Sequence, residues 1–111
     1  ASGCAVLLVG AGAAGGYALS KDSVTDQYDA SPGVVFDHAL RVMEDFGAVA
    51  VKDRDAGLIK GNVEGAEVTV TIKALTKRTV ELKVKARDLL ELVPKIQIAQ
   101  RVYSAINDRL E

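Results

Sequence analysis

The sequence predicts a small α+β domain behind a glycine-rich segment that associates with a membrane. Three patterns in its 111 residues lead to this prediction. Apolar and polar residues alternate in the middle of the chain, which is typical of strands. Two other stretches space their apolar residues as helices do. Finally, the first twenty residues carry no charge, whereas all 14 Lys and Arg and all 15 Asp and Glu follow Ser20. We therefore divide the chain into a membrane anchor segment, residues 1–20, and a folded domain, residues 21–111.

The anchor segment opens with a cysteine in a setting of small residues. Ser2 and Gly3 precede Cys4, and an apolar run follows it. This arrangement resembles the lipobox of bacterial lipoproteins, in which the cysteine becomes the lipidated residue. The resemblance implies that Cys4 is a lipidation site. The alternative is a free cysteine that packs as a small hydrophobe. No other cysteine is present, so an intrachain disulfide is excluded.

The glycines that follow Cys4 allow three interpretations. Gly10, Gly12 and Gly15 have the spacing of a dinucleotide-binding loop. That reading is disfavoured because the next stretch, Lys21 to Asp29, is polar and lacks the apolar periodicity of the helix that such a loop requires. The second interpretation is a membrane helix, and the third is a spacer beside a lipidated Cys4.

The second and third interpretations both place the segment at a membrane. In a helix, Gly12 and Gly16 lie on one face, where small residues let two backbones approach closely. The sequence therefore predicts a glycine surface for membrane or helix packing, formed by Gly10, Gly12, Gly15 and Gly16.

The folded domain is predicted to begin with a short edge strand and a helix. The strand covers Val24 to Tyr28. Ser31 is a good N-cap and Pro32 suits the first helical turn. Gly47 is predicted to cap the helix at its carboxyl end. The apolar residues of the helix share one face: Phe36, Ala39, Leu40, Met43 and Phe46.

Between residues 48 and 86 the period changes to two, which predicts a four-stranded antiparallel meander. Val49 to Lys52 and Leu58 to Val63 are the weaker strands. The two stronger strands point Val68, Val70, Ile72, Ala74, Val80, Leu82, Val84 and Ala86 to one face. Their other face should point away from the helices and carries Thr69, Thr71, Lys73, Thr79, Glu81, Lys83 and Lys85. Lys73, Lys83 and Lys85 make this face a possible docking surface.

A second helix is predicted from about Pro94 to Leu110. Ile98, Val102, Ala105, Ile106 and Leu110 form its apolar face. The preceding connection contains Leu89, Leu90, Leu92 and Val93, which either fill the end of the core or form an exposed contact patch. The expected architecture is thus a two-layer sandwich: an antiparallel sheet of four to five strands with two helices on one face.

This order of parts resembles a family of small bacterial envelope lipoproteins of unknown function. The resemblance is carried by Gly3-Cys4, the glycine-rich stretch 10–16, Tyr28-Asp29-Ala30, Gly47 before the meander, and Ile106 to Leu110. It implies a lipid-anchored protein of the cell envelope, with its domain in the periplasm or at the cell surface. The resemblance implies no catalytic residues.

Composition and motifs narrow the function further. The single histidine, His38, lies off the apolar face of its helix, and no spacing of a metal site is present. We therefore predict no catalytic residues, no metal and no cofactor, and hence no enzymatic activity. A net charge of −1 without a basic block speaks against nucleic acid. The prediction is an accessory subunit that contacts membrane lipid and docks on a protein partner or on copies of itself. The alternative is a periplasmic module that binds a small ligand or a lipid.

Overall fold

A computed structural model describes residues 18–20, 22–88 and 95–110. These residues form an antiparallel sheet and two helices, which confirms the predicted α+β fold. The elements in chain order are β1 (Ala18–Leu19), β2 (Ser23–Tyr28), α1 (Pro32–Phe46), β3 (Ala48–Asp53), β4 (Leu58–Val63), β5 (Ala66–Ala74), β6 (Val80–Asp88) and α2 (Ile96–Leu110).

The sheet has the strand order β1-β2-β6-β5-β4-β3. The predicted meander is confirmed, because β3 to β6 pair with their neighbours in chain order and are all antiparallel. Strand β2 does not end the sheet as the sequence suggested. It pairs with β6 on one side, and the two-residue β1 pairs with its other side. The sheet therefore includes two residues that precede Lys21.

Alternation along the strands separates a core face from an outer face. Val70 pairs with Val84 on the core face, and Thr71 pairs with Lys83 on the outer face. The core side chains of both strands are buried, whereas Lys73 and Lys83 are exposed. Ala74 was predicted to face the core but is exposed, because it is the last residue of β5. The outward set predicted from the sequence lies on the outer face, apart from Thr79, which precedes β6. A docking role for these lysines stays a prediction.

Helix α1 packs its apolar side onto the sheet. The Ser31 side chain accepts a hydrogen bond from the amide of Val34, as expected of an N-cap. Five residues of the helix are buried: Val35, Phe36, Ala39, Val42 and Met43. Leu40 and Phe46 pack against this core from a half-buried position.

Gly47 ends α1 for a reason other than the predicted one. Its φ of −178° is extended rather than left-handed, so conformational freedom is not what requires glycine here. A Cβ at this position would instead overlap the carbonyl oxygen of Asn62 on β4. Glycine is required because the chain leaving the helix passes directly against the neighbouring strand.

Helix α2 lies beside α1 and packs on β2 and β6. Its amino end is attached to the sheet, because the Lys95 amide donates to the Ala86 carbonyl at 2.9 Å. The buried residues are Ile98, Ala99, Val102, Tyr103 and Ile106, which include three of the five predicted ones. Ala105 and Leu110 pack against the core at half-buried positions.

Several predicted features lie outside the described residues. They are the lipidation site Cys4, the glycine surface of Gly10, Gly12, Gly15 and Gly16, and the apolar connection 89–93. None of the helices within the described residues has the length and apolar character needed to cross a bilayer.

Candidate functional site

The core face of β2 carries a buried carboxylate that the sequence analysis missed. Asp26 lies between Val24 and Tyr28 on the inward side of the strand and is only 7% exposed. The Tyr103 hydroxyl of α2 donates to Asp26 Oδ2 at 2.6 Å, and the Gln27 amide donates to Oδ1 at 2.7 Å. A buried carboxylate is tolerated when it accepts such hydrogen bonds. The available signal was its position, because Asp26 alternates in register with two core residues.

A second tyrosine joins the same cluster. The Tyr28 hydroxyl donates to Asn107 Oδ1 at 2.7 Å, which links β2 to the last turns of α2. Burial, together with the nearby Tyr103 and Asp26, raises the pKa of Tyr28 well above its ordinary value. The Tyr28 phenol is therefore protonated at neutral pH and acts as a hydrogen-bond donor. The cluster connects α2 to β2, and three of its four side chains are buried.

A second carboxylate lies at the start of β2. Asp22 Oδ2 accepts a hydrogen bond from Arg87 Nε at 2.9 Å and lies 4.0 Å from Lys85 Nζ. Burial acts to raise the pKa of Asp22, but the hydrogen bond and charge of Arg87 outweigh it. Lys85 and Ser20 add to that effect, and the pKa is held below its ordinary value.

This lowered pKa predicts a loss of stability in acid. A carboxyl with a folded pKa below its unfolded value of about 3.9 stabilises the fold above that value. The contribution is lost as the pH falls through the folded pKa. Asp22→Asn should therefore lower the thermal midpoint at neutral pH, and the difference from the unsubstituted chain should shrink below about pH 3.9.

Asp37→Asn is the control, because the Asp37–Arg54 pair is exposed on both sides and should contribute little. Thermal unfolding of the three proteins followed by circular dichroism across this pH range is the measurement. An Asp22→Asn difference that grows in acid would contradict the assignment.

An open cleft lies where the β4–β5 turn meets the start of α2. Its volume is about 500 Å³. The lining residues are Glu64, Gly65, Asp88, Lys95, Ile96, Gln97, Ile98 and Arg101. Ile96 and Ile98 supply apolar surface, and four charged side chains supply both signs of charge: Glu64, Asp88, Lys95 and Arg101. A volume of this size lies within the range of small-molecule sites.

One wall of the cleft is held by a two-point ion pair. Arg101 of α2 donates to both carboxylate oxygens of Glu64, at 2.5 and 2.9 Å. Glu64 has a positive φ of 53° and Gly65 one of 82°, so the two residues form the tight turn between β4 and β5. A non-glycine residue in this conformation is uncommon. The turn places the Glu64 carboxylate against the helix, and the fork-shaped guanidinium fixes its orientation.

A smaller cavity lies at the amino end of α1. Its volume is about 290 Å³, and Phe36, Arg54 and Ile72 are among its lining residues. The Arg54 guanidinium lies 5.0 Å from the centre of the Phe36 ring and pairs with Asp37. These contacts already occupy the charged group of this cavity, so the cleft beside α2 is the better candidate site. Among the described residues no cluster of His, Cys, Asp and Glu could hold a metal ion.

Comparison with known proteins shows a similarity of fold. No protein-family model and no curated protein sequence matches the chain. A solved structure that resembles it is the di-domain ARO/CYC StfQ from the steffimycin biosynthetic pathway, with a TM-score of 0.53 and 15% sequence identity. The likeness covers 78% of this chain but only 42% of StfQ, so the chain corresponds to less than half of that protein.

This comparison overturns the prediction that the protein is not an enzyme. That prediction was drawn from missing sequence motifs, yet an aromatase/cyclase is built on a fold of the same kind. Function depends on the site and not on the fold, so missing motifs along the sequence do not exclude an enzyme.

Proposed function

We propose that the folded domain binds a small organic molecule in the cleft between the β4–β5 turn and the start of α2. The observation that carries this proposal is the cleft itself, which combines a volume of about 500 Å³ with apolar surface and charged groups. Such a combination is typical of ligand sites. The likeness to StfQ supports the proposal, because that protein acts in a biosynthetic pathway and shares the fold.

The lining residues indicate the chemistry of the ligand. Ile96 and Ile98 would contact an apolar part, and the Lys95 ammonium would attract an anionic group at the rim. The Glu64–Arg101 pair closes one wall. We therefore expect a ligand with an apolar portion and an anionic group.

The proposal includes a location at a membrane. Its support is the sequence of the anchor segment, in which Ser2 and Gly3 precede Cys4 and no charge occurs before Lys21. Stable attachment needs more than one acyl chain, because a single chain binds only weakly. The intact mass of the protein from native membranes tests this part, and a mass without added acyl groups would remove it.

Filling the cleft should abolish binding. Gln97 is exposed and lines the cleft, so Gln97→Trp should occupy it with little effect on the fold. Ser104→Trp is the matched control, because Ser104 is exposed on the same helix about two turns further on and does not line the cleft. Each protein is purified gently from its native envelope, and bound small molecules are identified by mass spectrometry.

We expect a bound molecule with the unsubstituted chain and with Ser104→Trp. With Gln97→Trp the affinity should fall at least about tenfold, which corresponds to a loss of about 1.4 kcal/mol of binding free energy. Recovery of equal amounts of the bound molecule from the two variants would show that the cleft is not its binding site. Recovery of a stable protein partner without any small molecule would instead favour the accessory-subunit prediction.

A further inference from the structure

The outer face of the sheet has a basic centre. Within residues 18–20, 22–88 and 95–110 no helix covers this face, since both helices pack on the core side of the sheet. Three lysines and three threonines point outward at its centre: Lys60, Lys83, Lys85, Thr25, Thr69 and Thr71. We call this set the basic centre.

Strand register arranges the basic centre in two rows across the strands. Thr25, Lys83 and Thr71 form one row, and Lys85, Thr69 and Lys60 form the other. Neighbouring strands are about 4.8 Å apart, and alternate residues along one strand are about 7 Å apart. Ammonium groups therefore alternate with hydroxyl groups over a patch that spans the four strands β2, β6, β5 and β4.

Acidic residues are confined to the ends of the face. Glu81 pairs across the strands with Lys73, and Glu67 pairs with Arg87. Asp22 also contacts Arg87 and Lys85 at the edge. Asp53 pairs with Leu58 at the β3 end of the row that contains Lys83 and Thr71. The outer face thus carries five cations and four carboxylates, although the chain as a whole has a net charge of −1. The carboxylates lie at the margins, so the positive charge of this face is concentrated at its centre.

We propose that this face rests on an anionic lipid surface. Phosphate oxygens of lipid headgroups accept hydrogen bonds from ammonium and hydroxyl groups, and lysines close to an anionic leaflet are attracted to it. Val51, 37% exposed, lies beyond Lys60 in the same row, so the basic centre borders apolar surface as well. A mixture of lysine and apolar side chains is typical of surfaces that lie at the membrane interface.

The position of the anchor segment along the chain also favours a membrane on this face. The uncharged anchor segment runs into β1, which lies at the β2 edge of the sheet. Lys83 and Lys85 are on β6, two strands from β1, which is a distance of about 10 Å. A membrane that holds the anchor segment would therefore be within reach of these lysines. The inference uses the proposed anchor but is independent of the ligand cleft, which belongs to the opposite layer.

Amine labelling of the full chain tests the inference. The protein is reconstituted in vesicles of phosphatidylglycerol with phosphatidylcholine, or of phosphatidylcholine alone. An amine-reactive ester is then added, and modification of each lysine is followed by mass spectrometry. Lys60, Lys83 and Lys85 should react about fivefold more slowly on the anionic vesicles. High salt should remove this protection, because screening shortens the Debye length from about 10 Å at 0.1 M to about 3 Å at 1 M.

Internal controls and variants make the outcome decisive. Lys52 pairs with Ile59 and Lys95 immediately precedes α2, so neither belongs to the basic centre. Both should react equally on the two vesicle types. Lys60→Gln with Lys83→Gln should remove the protection of Lys85, whereas Arg41→Gln, on an exposed position of α1, should leave it unchanged. Thermal unfolding verifies that each variant is folded. Equal reactivity on both vesicle types, or protection that appears only when a protein partner is present, would overturn the inference.

Discussion

Replacing Gly47 with alanine should destabilise the domain by about 1–3 kcal/mol or more, the usual range for forcing extra atoms into packed structure. The added Cβ would overlap the carbonyl oxygen of Asn62. That oxygen belongs to the backbone of β4 and cannot move aside as a side chain does. Relief would require a shift of the chain that joins α1 to β3, at the point where helix and sheet meet. Urea denaturation followed by circular dichroism measures the free energy of unfolding.

Gly33→Ala is the matched control, and its effect on the free energy of unfolding should have the opposite sign. Gly33 lies in the first turn of α1, where a Cβ would meet only Arg54 Nη1 at an ordinary contact distance of 3.5 Å. Alanine is more favourable than glycine in a helix by up to about 1 kcal/mol, so this variant should be slightly more stable. A Gly47→Ala protein as stable as Gly33→Ala would show that β4 does not lie so close to the end of the helix.

Removing the Tyr103 hydroxyl should destabilise the domain by about 1–3 kcal/mol, because the buried Asp26 carboxylate loses a hydrogen bond that cannot be replaced by bulk water. Tyr103 is 3% exposed, and its phenylalanine replacement keeps the ring and its packing. The loss should therefore report the hydroxyl alone. The free energy of unfolding of Tyr103→Phe, compared with that of the unsubstituted chain, is the measurement.

Tyr28→Phe provides the comparison within the same cluster. Its hydroxyl donates to the neutral amide of Asn107, which is only half-buried, so its loss should cost about 0.5–1.5 kcal/mol. We therefore expect the Tyr103→Phe protein to be less stable than the Tyr28→Phe protein. The reverse order would mean that Asp26 does not depend on Tyr103 for its stabilisation.

Much of the fold was predictable from local patterns. The alternation of Val68, Val70 and Ile72 with threonines and lysine identified β5 and its core face, because a strand presents alternate residues to opposite sides. Ser31 and Pro32 identified the start of α1, since an N-cap hydroxyl and a proline in the first turn satisfy requirements confined to a few adjacent residues. Such features depend on neighbours in sequence, so they can be inferred without a structure.

The candidate site was much less predictable. Glu64 and Arg101 are 37 residues apart and meet only because the β4–β5 turn lies against α2. Neither residue belongs to a motif, and each reads as an ordinary surface charge. The prediction that the protein is not an enzyme relied on motifs along the chain, and the likeness of fold to an aromatase/cyclase removed its basis. The cleft is assembled from a turn, a strand end and a helix, so no motif along the chain marks it.

The sequence by itself determined the class of the fold, the meander, the boundaries of its strands to within a few residues and the direction of the outward lysines. These follow from period-two and helical spacing, which act over short distances. Only the tertiary structure decided that β2 pairs with β6, that Asp26 meets Tyr103 across 77 residues, and that Gly47 is required by the backbone of β4. Each of these depends on the packing of segments that are distant in the chain, and periodicity within one segment carries no information about which partner it meets.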